Sequence, residues 1–152
     1  MKTKLLIVAV IMFAISACKK DQFTSKPQLS FKSINTTTIS SGDILNFNIT
    51  FTDAEGDIQD TLWIQKVSKT CPNIPGSGFT QKYKVPDFPA VKNLKGYFDL
   101  SFIYGSNAAL PTAISITGCG SKNDSSYFRF VLKDKAQNVS DTLVSPVITL
   151  LK

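Results

Sequence analysis

Leu45-Asn46-Phe47-Asn48-Ile49-Thr50-Phe51-Thr52 is the stretch of sequence that decides the fold, because a large apolar residue occupies every second position. Asparagine and threonine fill the positions between. Successive side chains of a β-strand point to opposite faces, so this pattern predicts a strand with one face on a core and the other in water. The alternation recurs downstream, and no window beyond the N-terminal segment has apolar residues at helical spacing. The sequence therefore indicates an all-β fold.

Other strand candidates surround this one. Residues 97–104 and 127–133 alternate in the same way, and weaker candidates are residues 29–34, 61–67, 79–84 and 142–150. Pro146 shifts the last of these toward a sheet edge. About seven strands with irregular connections predict a single antiparallel β-sandwich of immunoglobulin or fibronectin type III architecture. Residues 113–117 are an alternative eighth strand, which would reverse the end at which the later loops lie.

The sandwich prediction assigns places to particular residues. Trp63 falls on the third strand, where immunoglobulin-like domains often bury a tryptophan, so we expect it in the core rather than at a ligand site. Sandwich topology puts the loops after the second and sixth strands at one end. Cys71 and Cys119 then fall together at the other end.

The N-terminal segment has the layout of an export signal. Lys2 and Lys4 precede an uncharged apolar run, Leu5 to Ala17, whose thirteen residues would span only about 20 Å as a helix, short of the hydrocarbon core of a bilayer. The run closes on Ile15-Ser16-Ala17-Cys18, which resembles a bacterial lipobox. We expect residues 1–17 to be a lipoprotein signal peptide. An ordinary secretory signal cut near Ala17 is the alternative.

The lipobox implies an envelope location. In lipoproteins the cysteine carries acyl chains, so Cys18 is the predicted lipidation site and would hold the protein to a bilayer, on the periplasmic face or at the cell surface. Residues 18–28 are polar and contain Pro27, so they are predicted to be a tether. Residues 29–152 form the predicted sandwich domain.

Two cysteines remain after Cys18 is assigned to lipid. In an oxidising compartment Cys71 and Cys119 are predicted to form a disulfide. In the chain-entropy model, closing a loop of this size contributes about 4 kcal/mol. The alternative is a pair of free thiols.

Composition excludes several chemistries. The chain has no histidine, which rules out histidine-based triads, histidine zinc sites and imidazole general bases. The net charge is +6, or +4 without the two leader lysines, since that segment holds no acids. The lysines are scattered apart from Lys19 and Lys20, which indicates a solvated surface and no nucleic-acid partner.

Residues 53–60 hold four of the eleven acidic residues, including the only glutamate. Carboxylates at alternate positions around a glycine turn can converge on calcium, which takes about six to eight oxygen ligands. The spacing lacks the rest of an EF-hand loop, and an acidic turn that caps backbone amides is the alternative. A calcium site of this kind would comprise Asp53, Glu55, Asp57 and Asp134, with Asp141 nearby.

Two motifs carry a family resemblance. Residues 46–61 (NFNITFTDAEGDIQDT) and 128–142 (FRFVLKDKAQNVSDT) resemble the small lipoproteins of Bacteroidota, which carry an FTD-x-[DE]-GDI turn after one strand and a D-x-AGN-x-S turn before the last. The resemblance implies an immunoglobulin-like or cadherin-like module anchored in the outer membrane. Gln137 stands where the second motif generally has glycine, although glutamine tolerates a positive φ poorly.

Three functions remain open. The first is a non-catalytic binding, adhesion or accessory module that is anchored by lipid and contacts an envelope protein or a glycan. The second is a structural spacer without a specific ligand. The third is a carboxylate-dependent glycan hydrolase using Asp53 with Asp57 or Glu55. We expect no enzyme, because a small sandwich with one acidic cluster offers poor means of separating two carboxyl pKa values.

Overall fold

The computed structural model describes residues 23–74, 78–106 and 114–152, so the predicted signal peptide and Cys18 lie outside the described residues. Within those ranges the chain is all-β, and none of it forms a helix that could span a membrane. The ten strands, in chain order, are β1 (Gln28–Ile34), β2 (Thr38–Ile39), β3 (Ile44–Asp53), β4 (Thr61–Ser68), β5 (Phe79–Lys84), β6 (Leu94–Tyr104), β7 (Ile114–Ile116), β8 (Asp124–Lys133), β9 (Leu143–Val144) and β10 (Ile148–Leu150).

The strands form two sheets. The smaller sheet has the order β1-β3-β6-β7, and the larger has the order β2-β10-β8-β4-β5, with β9 also paired to β8. Most neighbours are antiparallel, but β7 is parallel to β6 and β2 is parallel to β10. The prediction of a purely antiparallel arrangement is therefore wrong at two edges.

One hydrophobic core lies between the sheets. Leu45, Phe47 and Ile49 of β3 are fully buried and belong to the same cluster as Phe128 and Phe130 of β8. The Phe47 ring centroid is 4.9 Å from that of Phe128 and 5.3 Å from that of Phe130. The alternating stretch 45–52 thus joins the two sheets through its apolar face.

The alternation located the main strands, and the structure adds short ones. Strand β2 was not expected, and the predicted strand 142–150 is divided into β9 and β10 around Pro146. The alternative strand at 113–117 exists as β7. Because β7 is parallel to β6, it finishes at the same end as β6 and the later loops keep their predicted ends.

Trp63 is not a core residue, contrary to the prediction. Leu62 and Ile64 on either side of it are buried, so the alternation of β4 turns Trp63 to the outer face of the larger sheet. There the indole is half-buried, and Lys133 Nζ lies 5.9 Å from its ring centroid.

The two ends of the molecule differ in chemistry. The end formed by loops 54–60, 85–93 and 134–142 is called the Asp end, and the opposite end, which carries Cys71 and Cys119, is called the disulfide end. Sulfur atoms of these two cysteines are bonded across a sequence separation of 48 residues. The predicted disulfide is therefore present, and the loops lie at the ends that the sandwich topology predicted.

Candidate metal centre

The Asp end brings together three of the predicted calcium ligands. Asp53 is the last residue of β3, Asp57 lies in the loop that follows, and Asp134 comes directly after β8. One carboxylate oxygen from each residue can be chosen so that all three lie within 4.8 Å of one another. Strands β3 and β8 belong to different sheets, so the cluster joins the two sheets where the core ends.

The loop after β3 turns on Gly56. Asp53 Oδ1 accepts hydrogen bonds from the backbone N–H groups of Gly56, at 2.5 Å, and of Asp57, at 3.3 Å. Gly56 has φ +71°, and a Cβ atom there would meet the carbonyl oxygen of Val91 at 2.1 Å. Only glycine fits this position, because a side chain would suffer both backbone strain and a backbone clash. The Gln59 side chain then closes the turn by donating to the Gly56 carbonyl.

Asp134 is held by its own turn. Asn138 donates its backbone N–H to Asp134 Oδ1 at 2.7 Å and its side-chain amide to Oδ2 at 2.8 Å. Gln137 adopts φ +72°, so the tight turn of the second motif forms with glutamine in the position that generally carries glycine. Its side chain accepts a hydrogen bond from Lys133 and donates to the Lys135 carbonyl, which helps hold this conformation.

Two oxygens of the cluster lack hydrogen-bond partners. Asp53 Oδ2 and Asp57 Oδ1 are both buried and accept no hydrogen bond, and Asp53 as a whole has no solvent exposure. Burial raises the pKa of the Asp53 carboxyl above its usual value, the Gly56 and Asp57 amides oppose this, and the charges of Asp57 and Asp134 raise the pKa further. A cation between the carboxylates would relieve both the missing contacts and the repulsion.

Glu55 and Asp141 do not join the cluster. Glu55 occupies the exposed position before the Gly56 turn, and its Oε1 accepts a hydrogen bond from Ser25 at 2.8 Å. Asp141 pairs with Lys26 at 2.6 Å and its side chain is 85% exposed. Of the four predicted ligands, Glu55 therefore stands apart in this arrangement, because its side chain is hydrogen-bonded to the N-terminal segment.

The N-terminal segment is thereby attached to the Asp end. Ala54 N–H donates to the Thr24 carbonyl at 3.0 Å, alongside the contacts of Ser25 and Lys26. Pro27, within the predicted tether, is buried. Residues 24–27 thus pack on the domain next to the carboxylate cluster.

A second buried polar cluster, which the sequence pattern had not led us to expect, lies at the disulfide end. Lys66 Nζ is 2.8 Å from Asp124 Oδ2, and these side chains are 1% and 0% exposed. Ser68 donates to Asp124 Oδ1 and accepts from the Cys71 N–H. The inward positions of β4 run Leu62, Ile64, Lys66, Ser68, so the alternation itself contained the signal for a buried lysine. Desolvation lowers the pKa of Lys66, and the bond to Asp124 opposes that shift.

Comparisons with known proteins identify no relative by sequence. No known family matches the chain, and no curated protein matches it. Among solved structures, the sporulation control protein Spo0M from Bacillus subtilis matches with 8% identity and a TM-score of 0.44, over 85% of this chain and 51% of that one. This chain thus spans about half the length of Spo0M. A likeness at this level carries no argument about function.

Proposed function

We propose that this protein is a lipid-anchored, non-catalytic binding module of the cell envelope whose Asp end is made rigid by a bound divalent cation, calcium. One observation carries the cation: three aspartates from two sheets converge, and two of their buried oxygens have no hydrogen-bond partner. Buried carboxylates without a counter-charge destabilise the folded state, and a bound cation would remove this penalty.

Calcium suits the cluster better than softer metals do. All three side chains offer carboxylate oxygens, the ligands of hard cations, and calcium accepts irregular geometry completed by water or carbonyl oxygens. Asp53 and Asp134 are fixed by their own turns before any cation binds. Bound calcium would therefore tie β3 of one sheet to β8 of the other without rearranging either loop.

An immunoglobulin-like arrangement is supported by the strand orders. The smaller sheet joins the first, second and fifth main strands as β1-β3-β6, and the larger joins the last, sixth, third and fourth as β10-β8-β4-β5. Immunoglobulin and fibronectin type III domains divide their strands between two sheets in a related way. Such scaffolds hold loops and sheet faces for binding, which favours a binding module over a plain spacer.

A lipid at Cys18 would orient the domain. Within the described part of the chain, Thr24 contacts the Asp end, and the six residues from Cys18 to Thr24 reach at most about 20 Å. The Asp end would then lie toward the membrane. The disulfide end and the sheet faces would be turned toward other molecules.

Catalysis by the cluster has little support. Asp53 is fully buried, and Glu55, its proposed partner, is engaged with Ser25. A glycosidase needs two carboxyl groups about 5 Å or more apart on either side of an accessible sugar. The Asp cluster offers closely grouped oxygens inside the protein instead.

Thermal unfolding tests the cation. The full chain, purified in detergent, is unfolded in EDTA and in millimolar calcium, and Asp53→Asn is compared with Glu55→Gln as an acid of the same loop outside the cluster. At 100-fold excess over its Kd, calcium would stabilise the native state by about 2.7 kcal/mol and raise the midpoint by several degrees. Glu55→Gln should retain this shift and Asp53→Asn should lose it. Equal midpoints in EDTA and calcium would refute the cation site.

Fractionation tests the anchor. Cys18→Ser should abolish incorporation of radiolabelled fatty acid and release the protein from the membrane fraction, because a single cysteine would carry all the acyl chains. Ala17→Gly, which keeps a small residue before the cysteine, is the matched control. Unchanged membrane association of Cys18→Ser would contradict the lipid anchor.

A further inference from the structure

The outer face of the larger sheet carries a cluster of side chains that the core does not use. Trp63 of β4 is paired with Lys82 of β5 on one side and with Val131 of β8 on the other. One pair further along, Gln65 is flanked by Thr80 and Arg129. Directly opposed residues of antiparallel strands share a face, so these side chains form two adjacent rows.

These rows line a cleft of about 300 Å³, together with Thr142 from the segment after β8. The lining residues are Trp63, Gln65, Thr80, Arg129, Val131 and Thr142. They supply an aromatic ring, one amide, two hydroxyls and a guanidinium, and no carboxylate. Sites for small ligands commonly combine an aromatic surface with a few polar groups in this way.

The charge around the cleft is positive. Arg129 is exposed, lies 5.4 Å from the Tyr127 ring centroid and donates to Tyr127 Oη at 3.0 Å, which fixes its guanidinium. The acids of the adjoining loops have cations of their own: Asp60 pairs with Lys133, and Asp87 pairs with Lys84 and Lys135. Asp141, which precedes Thr142 in the sequence, pairs with Lys26. An anionic group entering the cleft would therefore meet Arg129, and Lys82 in the neighbouring row, without a competing carboxylate among the lining residues.

We propose that this cleft binds an acidic saccharide, with one sugar ring against Trp63 and its carboxylate paired with Arg129. Indole presents a flat apolar face to the C–H groups of a pyranose, and a guanidinium binds a carboxylate through two parallel hydrogen bonds. Gln65, Thr80 and Thr142 supply amide and hydroxyl groups for the ring hydroxyls.

A saccharide fits the cleft better than an acidic peptide. Extended peptides bind sheets by pairing with backbone groups at an open edge. The cleft is centred on β4, whose backbone is already paired with β5 and β8 on its two sides. The site therefore offers side chains rather than backbone, which is the chemistry that recognises sugar rings and their hydroxyls.

This inference rests on the binding-module part of the proposed function, and it names the ligand class. It does not depend on the cation, because none of the lining residues belongs to the Asp cluster. Loss of saccharide binding and loss of calcium stabilisation can therefore be measured separately.

The test uses the full chain in detergent at physiological salt, with Trp63, the only tryptophan, as a fluorescent reporter. The probes are oligogalacturonate, the neutral oligogalactose of equal length and polyglutamate of equal charge. We expect oligogalacturonate to change the Trp63 emission and to bind at least about 10-fold more tightly than either other probe. A difference of about 10-fold in affinity is what one well-placed charged contact contributes.

Calorimetry on variants assigns the contact. Arg129→Gln and Trp63→Ala should each weaken oligogalacturonate binding at least about 10-fold. Lys32→Gln removes a cation that lies 5.4 Å from the Tyr97 ring centroid, away from the cleft, and should leave binding unchanged. Circular dichroism checks that each variant is folded. Equal binding of polyglutamate or of the neutral sugar, no binding of oligogalacturonate, or an unaffected Arg129→Gln would each overturn the proposal while leaving the calcium result intact.

Discussion

Asp53 is the residue on which the electrostatics of the Asp end depend. It is fully buried, one of its oxygens has no partner, and two other carboxylates stand beside it. Without a cation the protein must bury this charge or bind a proton in its place. The same side chain would be the centre of a calcium site. Asp53 should therefore destabilise the folded protein without calcium and stabilise it when calcium is bound.

The pH dependence of cation-free protein should report this burial. Because the folded pKa of Asp53 is raised from 3.8, its contribution favours folding at low pH and is lost as the pH rises from 3.8 through the folded pKa. In EDTA, Asp53→Asn should therefore gain stability relative to the unmodified protein as the pH rises to 7. In saturating calcium the order at pH 7 should reverse. Urea unfolding at several pH values measures both, and a constant difference in EDTA would contradict the raised pKa.

Lys66 and Asp124 form a buried pair whose members depend on each other. Lys66→Met leaves the Asp124 carboxylate buried with Ser68 and should lower the free energy of unfolding by about 3–5 kcal/mol. Replacing both with Lys66→Met/Asp124→Leu removes the unpaired charge and should recover most of that loss. Urea unfolding of the two variants checks this, with Lys82→Met on the exposed outer face as the control. A double variant as unstable as the single one would show that the pair is not the cause.

The loop between β3 and β4 turns on a single glycine. Gly56→Ala would place a Cβ 2.1 Å from the Val91 carbonyl at a positive φ, so the loop must move. We expect a loss of more than about 2 kcal/mol in the free energy of unfolding and a weaker calcium shift. Gly42→Ala also has a positive φ but no atom within 4 Å of the added Cβ, so it isolates the clash from the strain. Similar losses in both variants would contradict the role of Val91.

The disulfide links the loop after β4 to the loop before β8. Closing a loop of 48 residues restricts the unfolded chain, and the chain-entropy model assigns this about 4 kcal/mol. Urea unfolding with and without dithiothreitol should show a loss of about 2–4 kcal/mol on reduction. The reduced protein should still bind calcium, because the Asp cluster lies at the opposite end. Loss of calcium stabilisation in a reduced but folded protein would contradict the independence of the two ends.

Period-two alternation was enough to locate the central strands, since β3, β4 and β8 bury alternate residues along their length. The alternation did not reveal β2, because a strand of two residues is too short to show a period. Trp63 was expected in the core because immunoglobulin-like domains often bury a tryptophan there. Its neighbours Leu62 and Ile64 occupy the inner face of β4, so Trp63 lies on the outer face. The predicted sandwich topology was enough to place Asp53, Asp57 and Asp134 at the same end of the domain. The Glu55 side chain points away from these three aspartates because of the backbone conformation of the turn. That conformation cannot be predicted from the pattern of residue types.

At the scale of the whole molecule, the two ends have separate chemistry. The Asp end contacts the N-terminal segment through Thr24, Ser25 and Lys26, whereas Lys152 lies at the disulfide end, where its N–H donates to the Asn123 side chain. A membrane anchor attached before Thr24 would therefore act on the Asp end alone. Calcium bound there would stiffen the part of the domain nearest the anchor and limit how freely the domain can tilt.

If Cys18 carries the proposed lipid, this orientation can be measured on the protein in vesicles. A donor dye is attached through Lys92→Cys, at the Asp end, or through Lys122→Cys, at the disulfide end, both exposed positions, and the acceptor is a headgroup-labelled lipid. The strands between the ends have up to eleven residues and span about 30 Å, so energy transfer should be clearly greater from position 92. EDTA should reduce the difference if calcium limits tilting. Equal transfer from both positions in calcium would mean that the domain rotates freely on its tether, and the proposed orientation would then be wrong.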